Sequence, residues 1–456
     1  MSQTVKENKM GVLPINKLLF NMSLPIMISM LIQALYNIVD SVFVSKISEN
    51  AFTAVSLAFP VQNLMIALGA GTGVGINALL SKSLGEKDFD KANKTARNGI
   101  FLTFINYFIF ILFGLFFTKM FFTAQSKNPE IVSYGIDYLK VITLLSIGIF
   151  GQMTAERLLQ ATGKTIYSMY TQGAGAIINI IFDPILIFGI GPFPKMGVTG
   201  AAIATVTGQI SAMVLGLIFN VKINKEININ MKGFKPDSII IKKIYIVGVP
   251  SIIMQSITSV MTFGMNKILG VYSDTAQAVM GAYFKLQSFI FMPVFGLNNG
   301  LIPILSYNFG ARKRKRMIDT IKYGMLFATI IMLVGTLIMQ LMPDTLLKAF
   351  DSSENMMAIG RVALRIISLS FILAGIDIII TASLQSLGYS IFSMFISIAR
   401  NLVVLLPTAY AIAKLSHYSN VDYIWWAFFI SEIFSLICAL IFLKIVYKKV
   451  IKPLPQ

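Results

Sequence analysis

Apolar residues gather along this chain into twelve long stretches, near residues 15–45, 50–80, 95–121, 131–162, 165–191, 196–221, 241–270, 276–308, 317–342, 356–387, 389–414 and 422–447. Each approaches or exceeds the roughly 20 apolar residues that carry a helix across a bilayer. The connections between them are too short to hold a soluble domain. The stretch 223–240 is rich in Asn, Lys, Gly and Pro and reads as a linker. The expected fold class is an all-α integral membrane protein of twelve transmembrane helices.

The pattern also repeats at a spacing of 225 residues. Pro25 matches Pro250, Ser81 Ser306, Gly85 Gly310, Gly99 Gly324, Gln160 Gln385, Gly163 Gly388, Ser168 Ser393 and Met169 Met394. One offset fits all of them without a gap. Each copy holds an even number of spans, so the copies share one orientation and form two parallel six-helix repeats, related by an axis along the membrane normal. The expected domains are an N-lobe over 1–222, a linker over 223–240 and a C-lobe over 241–456. Duplicated bundles of this kind commonly place a transport site at the interface of the copies.

Composition supports lipid as the solvent. Hydrophobic residues make up 56% of the chain, charged residues 13%, and mean hydropathy is +0.75. A soluble domain carries about 25% charged residues. The net charge of +18 would suggest nucleic acid in a soluble protein. Here it follows the positive-inside rule. Lys6, Lys9 and Lys17 lie in the N-terminal tail, and Lys82, Lys87, Lys91, Lys94 and Arg97 in the second connection. The linker, the run Arg312–Arg316 and the tail with Lys444, Lys448, Lys449 and Lys452 continue the bias. Both termini and the linker are thus expected in the cytoplasm, with no nucleic-acid partner. The N-terminus shows no cleavable signal, because apolar sequence runs on as a full span. The single Cys438 excludes an intrachain disulfide.

Charges inside the spans carry the chemistry. Asp40, Glu156, Asp183, Asp377 and Glu432 fall within them, as do Lys140, Arg157, Lys285, Arg361, Arg365 and Arg400. An ionisable group at mid-membrane costs at least about 2.5 kcal/mol on insertion scales, so it normally faces a cavity or a partner. Asp40 and Asp183 lie in the outer halves of the first and fifth spans, at similar depth. Asn179 precedes Asp183 by four residues and shares its helix face. Pro184 follows, lacking the N–H that would tie the backbone there. Two carboxylates sharing one pocket cannot both ionise cheaply, so the group suits a proton or a small cation, with Na+ at Asp40, Asn179 and Asp183 as the metal alternative. The positions one repeat later are Met265, Val404 and Thr408, which places this chemistry in the N-lobe alone.

Other candidates are secondary. Glu156 is expected to face the cavity while its neighbour Arg157 snorkels to the interface beside Lys164. Gln160, Asp377, Arg400 and Gln255 are further cavity candidates, with Arg400 able to neutralise Asp377 or Glu432. Ala161–Thr165 imitates the end of a phosphate loop, but Leu158 stands where its first glycine belongs. Gly69, Gly71, Gly73 and Gly75 read as close helix packing. One His and one Cys are too few for a structural zinc site. No nucleophile–base pair stands out, so an enzyme is not expected.

Twelve spans in two copies, Pro25 with Asp40, Arg157-x-x-Gln160-x-x-Gly163 and Asn179-x-x-x-Asp183-Pro184 together resemble the MATE family, the multidrug and toxic compound extrusion transporters, over about 15–448. Glu156 with Asp183 is similar to the MepA-type branch. The resemblance implies a V-shaped pair of lobes and a central cavity. It implies export of cationic, lipophilic molecules in exchange for H+ or Na+, with Asp40, Asn179 and Asp183 as the coupling cluster and no cofactor beyond that ion. Asp377 is similar to an acid used by NorM-type members, yet the seventh span lacks their glutamate and offers Gln255 and Asn266. The expected function is secondary multidrug efflux by alternating access, from a monomeric protein in contact with lipid in a bacterial cytoplasmic membrane. The alternative is a flippase for lipid-linked oligosaccharide or cell-wall precursors, and a channel is a further rival.

Overall fold

Helices make up the regular structure of the described residues, which are 7–350, 352–416 and 420–455 of a computed structural model. Lys6 lies outside them. In chain order the helices are α1 (Lys9–Val12), α2 (Ile15–Ser45), α3 (Glu49–Gly85), α4 (Phe89–Phe116), α5 (Thr118–Gln125), α6 (Pro129–Leu144), α7 (Ile147–Ala161), α8 (Thr165–Phe188) and α9 (Gly197–Lys222). They continue as α10 (Ser238–Gly270), α11 (Asp274–Gly310), α12 (Arg314–Leu341), α13 (Pro343–Lys348), α14 (Glu354–Ser368), α15 (Phe371–Ser386), α16 (Ser390–Ile398), α17 (Leu406–Leu415) and α18 (Trp426–Val446). A π-helical segment, Ala399–Leu405, joins α16 to α17, and a second, Tyr447–Ile451, follows α18.

Ten helical stretches are each long and apolar enough to cross a membrane, and the bent pairs α6–α7 and α14–α15 bring the number to twelve. The expected spans are all present as helices, and the protein is a multi-pass membrane protein. The two bends measure 43° and 46°. Each breaks the backbone ladder, and a side chain from a neighbouring helix takes a carbonyl at the break. Tyr107 of α4 donates to the Leu144 carbonyl at 3.1 Å, and Thr336 of α12 to that of Ser368 at 3.0 Å.

The repeat is visible bond by bond. Ser48 caps α3 through the Ala51 N–H, and Ser273 caps α11 through that of Ala276. Ser81 donates to the Ala161 carbonyl at 2.9 Å, and Ser306 to that of Ser386 at 3.1 Å. After α3 and α11 the chain turns through left-handed Lys87 and Arg312, with φ of 59° and 56°.

The chain divides into two compact units, 28–252 and 1–27 with 253–456. This differs from the division expected at the linker. The boundaries fall inside α2 and α10, at positions 225 residues apart. Glycines account for the exchange. In the first unit, a Cβ on Gly71 of α3 would lie 2.8 Å from the Ile252 nitrogen and 2.9 Å from the Gly248 oxygen, and one on Gly75 would collide with the Ile244 carbonyl. In the second, a Cβ on Gly296 of α11 would lie 2.7 Å from the Met27 backbone, and one on Gly300 would collide with Ser23. Each unit thus has a glycine track that lets the leading part of the other half's first helix approach its backbone.

The stretch 223–240 belongs to the first unit and is fastened there. Asn93 of α4 accepts from the Asn228 N–H at 2.6 Å, Asn98 accepts from that of Asp237 at 3.0 Å, and Phe101 packs on Phe234. In the second unit α1 is held by α11 and α12. Asn308 and Arg316 donate to the Met10 carbonyl at 3.0 and 2.9 Å, and Arg316 reaches Leu13 as well.

Candidate functional site

Within the unit 28–252, α8 presents Gln172, Gly175, Ala176, Asn179 and Asp183 at three- and four-residue steps, which makes one stripe along the helix. Gly175 and Gly208 of α9 lie so close that a Cβ on either would come within 3 Å of the other's carbonyl oxygen. This approach lets Asn179 reach Thr205 of α9 at 3.5 Å. The same amide donates to Asp183 Oδ1 at 3.2 Å, and Asp183 is fully buried. α8 runs unbroken through Pro184.

Asp40 of α2 faces this group, near enough for its charge to act on Asp183. Three buried oxygens here lack a hydrogen-bond donor among the described residues: Asp40 Oδ1, Asn179 Oδ1 and Asp183 Oδ2. Oxygens left bare in a protein interior are costly unless something fills the site. Beside Asn179 lies a small cavity lined also by Tyr36, Gln152, Gln172, Thr205 and Gln209, among others. Asn179 and Asp183 are thus hydrogen-bonded, and Asp40 lies within electrostatic reach of Asp183.

Glu156 extends the cluster along α7. Gln152 donates to Glu156 Oε1 at 3.0 Å and to Gln172 Oε1 at 2.6 Å, and Thr171 donates to Glu156 at 3.3 Å. One turn further on, Arg157 donates to Gln160 at 3.0 Å and Gln160 to Ser168 at 3.4 Å. Residues 152, 156 and 160 make a polar stripe on α7 that meets the stripe on α8. Arg157 is not extended beside Lys164 as expected: its stem lies on Gly73 of α3, where a Cβ would approach it to 2.7 Å.

The unit holding 253–456 contains a second charged group. Arg400, in the π-helical segment, places Nη1 3.3 Å from Asp377 Oδ2 and 3.5 Å from Glu432 Oε1. Ser435 donates to Asp377 Oδ2 at 3.0 Å, and Ser431 to the Arg400 carbonyl at 2.7 Å. Arg400 therefore touches both acids instead of choosing one. Gln255 lies exposed on α10 outside this group. Met265, the repeat mate of Asp40, is buried.

Two expected intramembrane cations lie on exposed helix surfaces, outside both clusters. Arg361 is 46% exposed and pairs with the equally exposed Asp344 through two bonds of 2.7 and 3.1 Å. Lys140 is exposed on α6. Several residues of the first cluster were missed in the sequence: Tyr36, Gln62, Tyr138, Gln152, Gln172 and Thr205. Tyr138 accepts from Gln62 at 3.0 Å and lies within reach of the charges of Asp40 and Asp183. Gln172, seven residues before Asn179 on the same face, carried a signal that helical spacing alone could have found. No group of three His, Cys, Asp or Glu suited to a metal occurs among the described residues.

The MatE family model matches residues 25–185 and 250–411, one copy in each half. The multidrug export protein MepA of Staphylococcus haemolyticus is 28% identical over 94% of this chain and 93% of its own. MepA of Staphylococcus aureus strain MRSA252 is 28% identical over 95% and 94%. Among solved structures, the outward-facing conformation of a multidrug resistance MATE transporter of the MOP superfamily superposes with a TM-score of 0.91 at 24% identity, covering 98% of this chain and 99% of that one. A MOP superfamily transporter from Pyrococcus furiosus, described as having a binding pocket of reverse polarity, gives 0.90 at 23% identity over 99% and 100%. The matched copies cover most of the chain and coincide with the two repeats, and the chain accordingly belongs to the MATE family, whose members are membrane transporters and not enzymes.

Proposed function

We propose that this transporter exports cationic, lipophilic small molecules across a bacterial cytoplasmic membrane by alternating access, in exchange for H+ or Na+ bound at Asp40, Asn179 and Asp183. The observation that carries this reading is the set of three undonated buried oxygens, one from each residue, with Asp40 within electrostatic reach of the Asn179–Asp183 pair. A proton satisfies a bare carboxylate by turning it into a donor, and a small cation does so by direct coordination. Either ligand must favour one conformation over the other to drive transport. The termini and linker are read as cytoplasmic from the positive-inside bias. The MepA relatives are named multidrug export proteins, which supports export of small molecules.

A flippase for pyrophosphate-linked lipids gains no support from Arg361 or Arg400. Arg361 is committed to Asp344, and Arg400 to Asp377 and Glu432. The test is dye efflux from proteoliposomes with a pH or a Na+ gradient imposed separately, comparing the native chain with Asp183→Asn. Efflux driven by one gradient and lost in the variant is the expected result and names the ion. Undiminished efflux in the variant removes coupling from this cluster.

A further inference from the structure

The triad in the unit 253–456 is short of one positive charge. Asp377 and Glu432 bring two negative charges and Arg400 one positive. Asp377 is 2% exposed, and its Oδ1 has no donor among the described residues; neither has Glu432 Oε2, which is also buried. A single nitrogen, Arg400 Nη1, serves both acids, at 3.3 and 3.5 Å. Charge-assisted bonds of this type normally close to about 2.7–2.9 Å and are often bidentate. The guanidinium thus stands between the two carboxylates and satisfies neither fully.

Serine donors do not repair the deficit. Ser435 adds one bond to Asp377, whereas the Ser431 hydroxyl goes to the Arg400 carbonyl. The other titratable groups that feel the triad are Tyr283 of α11 and Cys438 of α18, both neutral in their ordinary state. An uncompensated charge inside a membrane span is strongly destabilising. A metal ion is disfavoured because the guanidinium already occupies the space between the acids.

We propose that the triad binds one proton, resident mainly on Glu432, as a protonation site separate from Asp40, Asn179 and Asp183. Glu432 is the less satisfied acid, with the longer arginine contact and no serine donor. Protonation adds one O–H bond to it, leaves Asp377 paired with Arg400 and brings the group to zero charge. The placement repeats a position of the first half with new chemistry. Asp377 is the repeat mate of Gln152, and Arg400 that of Gly175. The π-helical segment, a feature frequent at functional sites, holds Arg400 where α8 continues as an α-helix. The site goes beyond the proposed efflux function and does not depend on it.

The test is pH-difference infrared spectroscopy of the full chain in lipid nanodiscs, in a background of Asp40→Asn, Glu156→Gln and Asp183→Asn. One carboxylic-acid carbonyl band is expected at neutral pH. Either Glu432→Gln or Asp377→Asn removes it, since each leaves one acid balanced by Arg400. Arg400→Gln roughly doubles it, because both acids must then be neutral. Absence of the band, or a band that survives both single substitutions, overturns the proposal. Should the background variant not fold, Glu432→Gln alone against the native chain decides the matter, because that change keeps a balanced Asp377–Arg400 pair. The variant then binds about one proton fewer per molecule, and an equal proton count defeats the idea.

Discussion

Asn179 donates to Asp183 across one helical turn at 3.2 Å, and this bond occupies one carboxylate oxygen while the other has no donor among the described residues. Asp183 is thereby fixed in direction and left able to take a ligand. Asp183→Asn keeps the size and removes the charge. Gradient-driven efflux is expected to fall at least about tenfold, because the ion loses its preference between conformations, while the protein stays folded. Initial efflux rates and size-exclusion profiles measured together check this.

Gly75→Ala places a methyl group against the Ile244 carbonyl, a backbone atom that cannot swing aside. Thermal unfolding in detergent is expected to show a loss of about 1–3 kcal/mol, the usual range for overpacking. Gly281→Ala serves as the control. Nothing lies within 4 Å of its added methyl, and an alanine in a helix is expected to stabilise by about 0.5–1 kcal/mol. Equal responses at the two positions would refute the close approach of α3 and α10.

Ser81 and Ser306 close equivalent hydrogen bonds at fully buried sites. Replacing either by alanine leaves a buried carbonyl with one partner fewer, for an expected loss of about 1–2 kcal/mol. The two residues belong to different compact units, so the double variant is expected to lose the sum to within about 0.5 kcal/mol. Chemical unfolding of the four proteins of the cycle measures the coupling directly.

Asp344 sits outside the spans, and its bonds to Arg361 hold its carboxyl below the ordinary value. A depressed folded value means that the pair contributes stability above the unfolded value, near pH 4, and loses it as pH falls through the folded one. The stability difference between the native chain and Asp344→Asn is therefore expected to be present at pH 7 and to close below about pH 4. The contribution is small, since both groups are exposed. A difference that grew on acidification would reverse the assignment.

The spans and the repeat were legible because lipid imposes a length of apolar sequence that few other constraints imitate. Asp40, Asn179 and Asp183 could be grouped because helical spacing and depth are both written in the chain. Tyr36, Gln62 and Tyr138 could not, since an aromatic or an amide in a span signals nothing until its neighbours on other helices are known. Arg157 was misjudged for the same reason: Gly73, on another helix, opens the space that it fills. The bends after Leu144 and Ser368 contain no proline, and the carbonyls freed there are taken by Tyr107 and Thr336, far along the chain.

The passage of α2 and α10 between compact units has a consequence for ancestry. The segment that was duplicated is not the segment that packs as one body. A single copy of about half this length would carry a leading helix portion that does not pack on its own glycine track. Two such copies could complete each other by exchanging those portions, as in a swapped dimer. Fusion into one chain would then have preserved an old exchange between subunits as a covalent one, and released each copy to evolve its own buried charges.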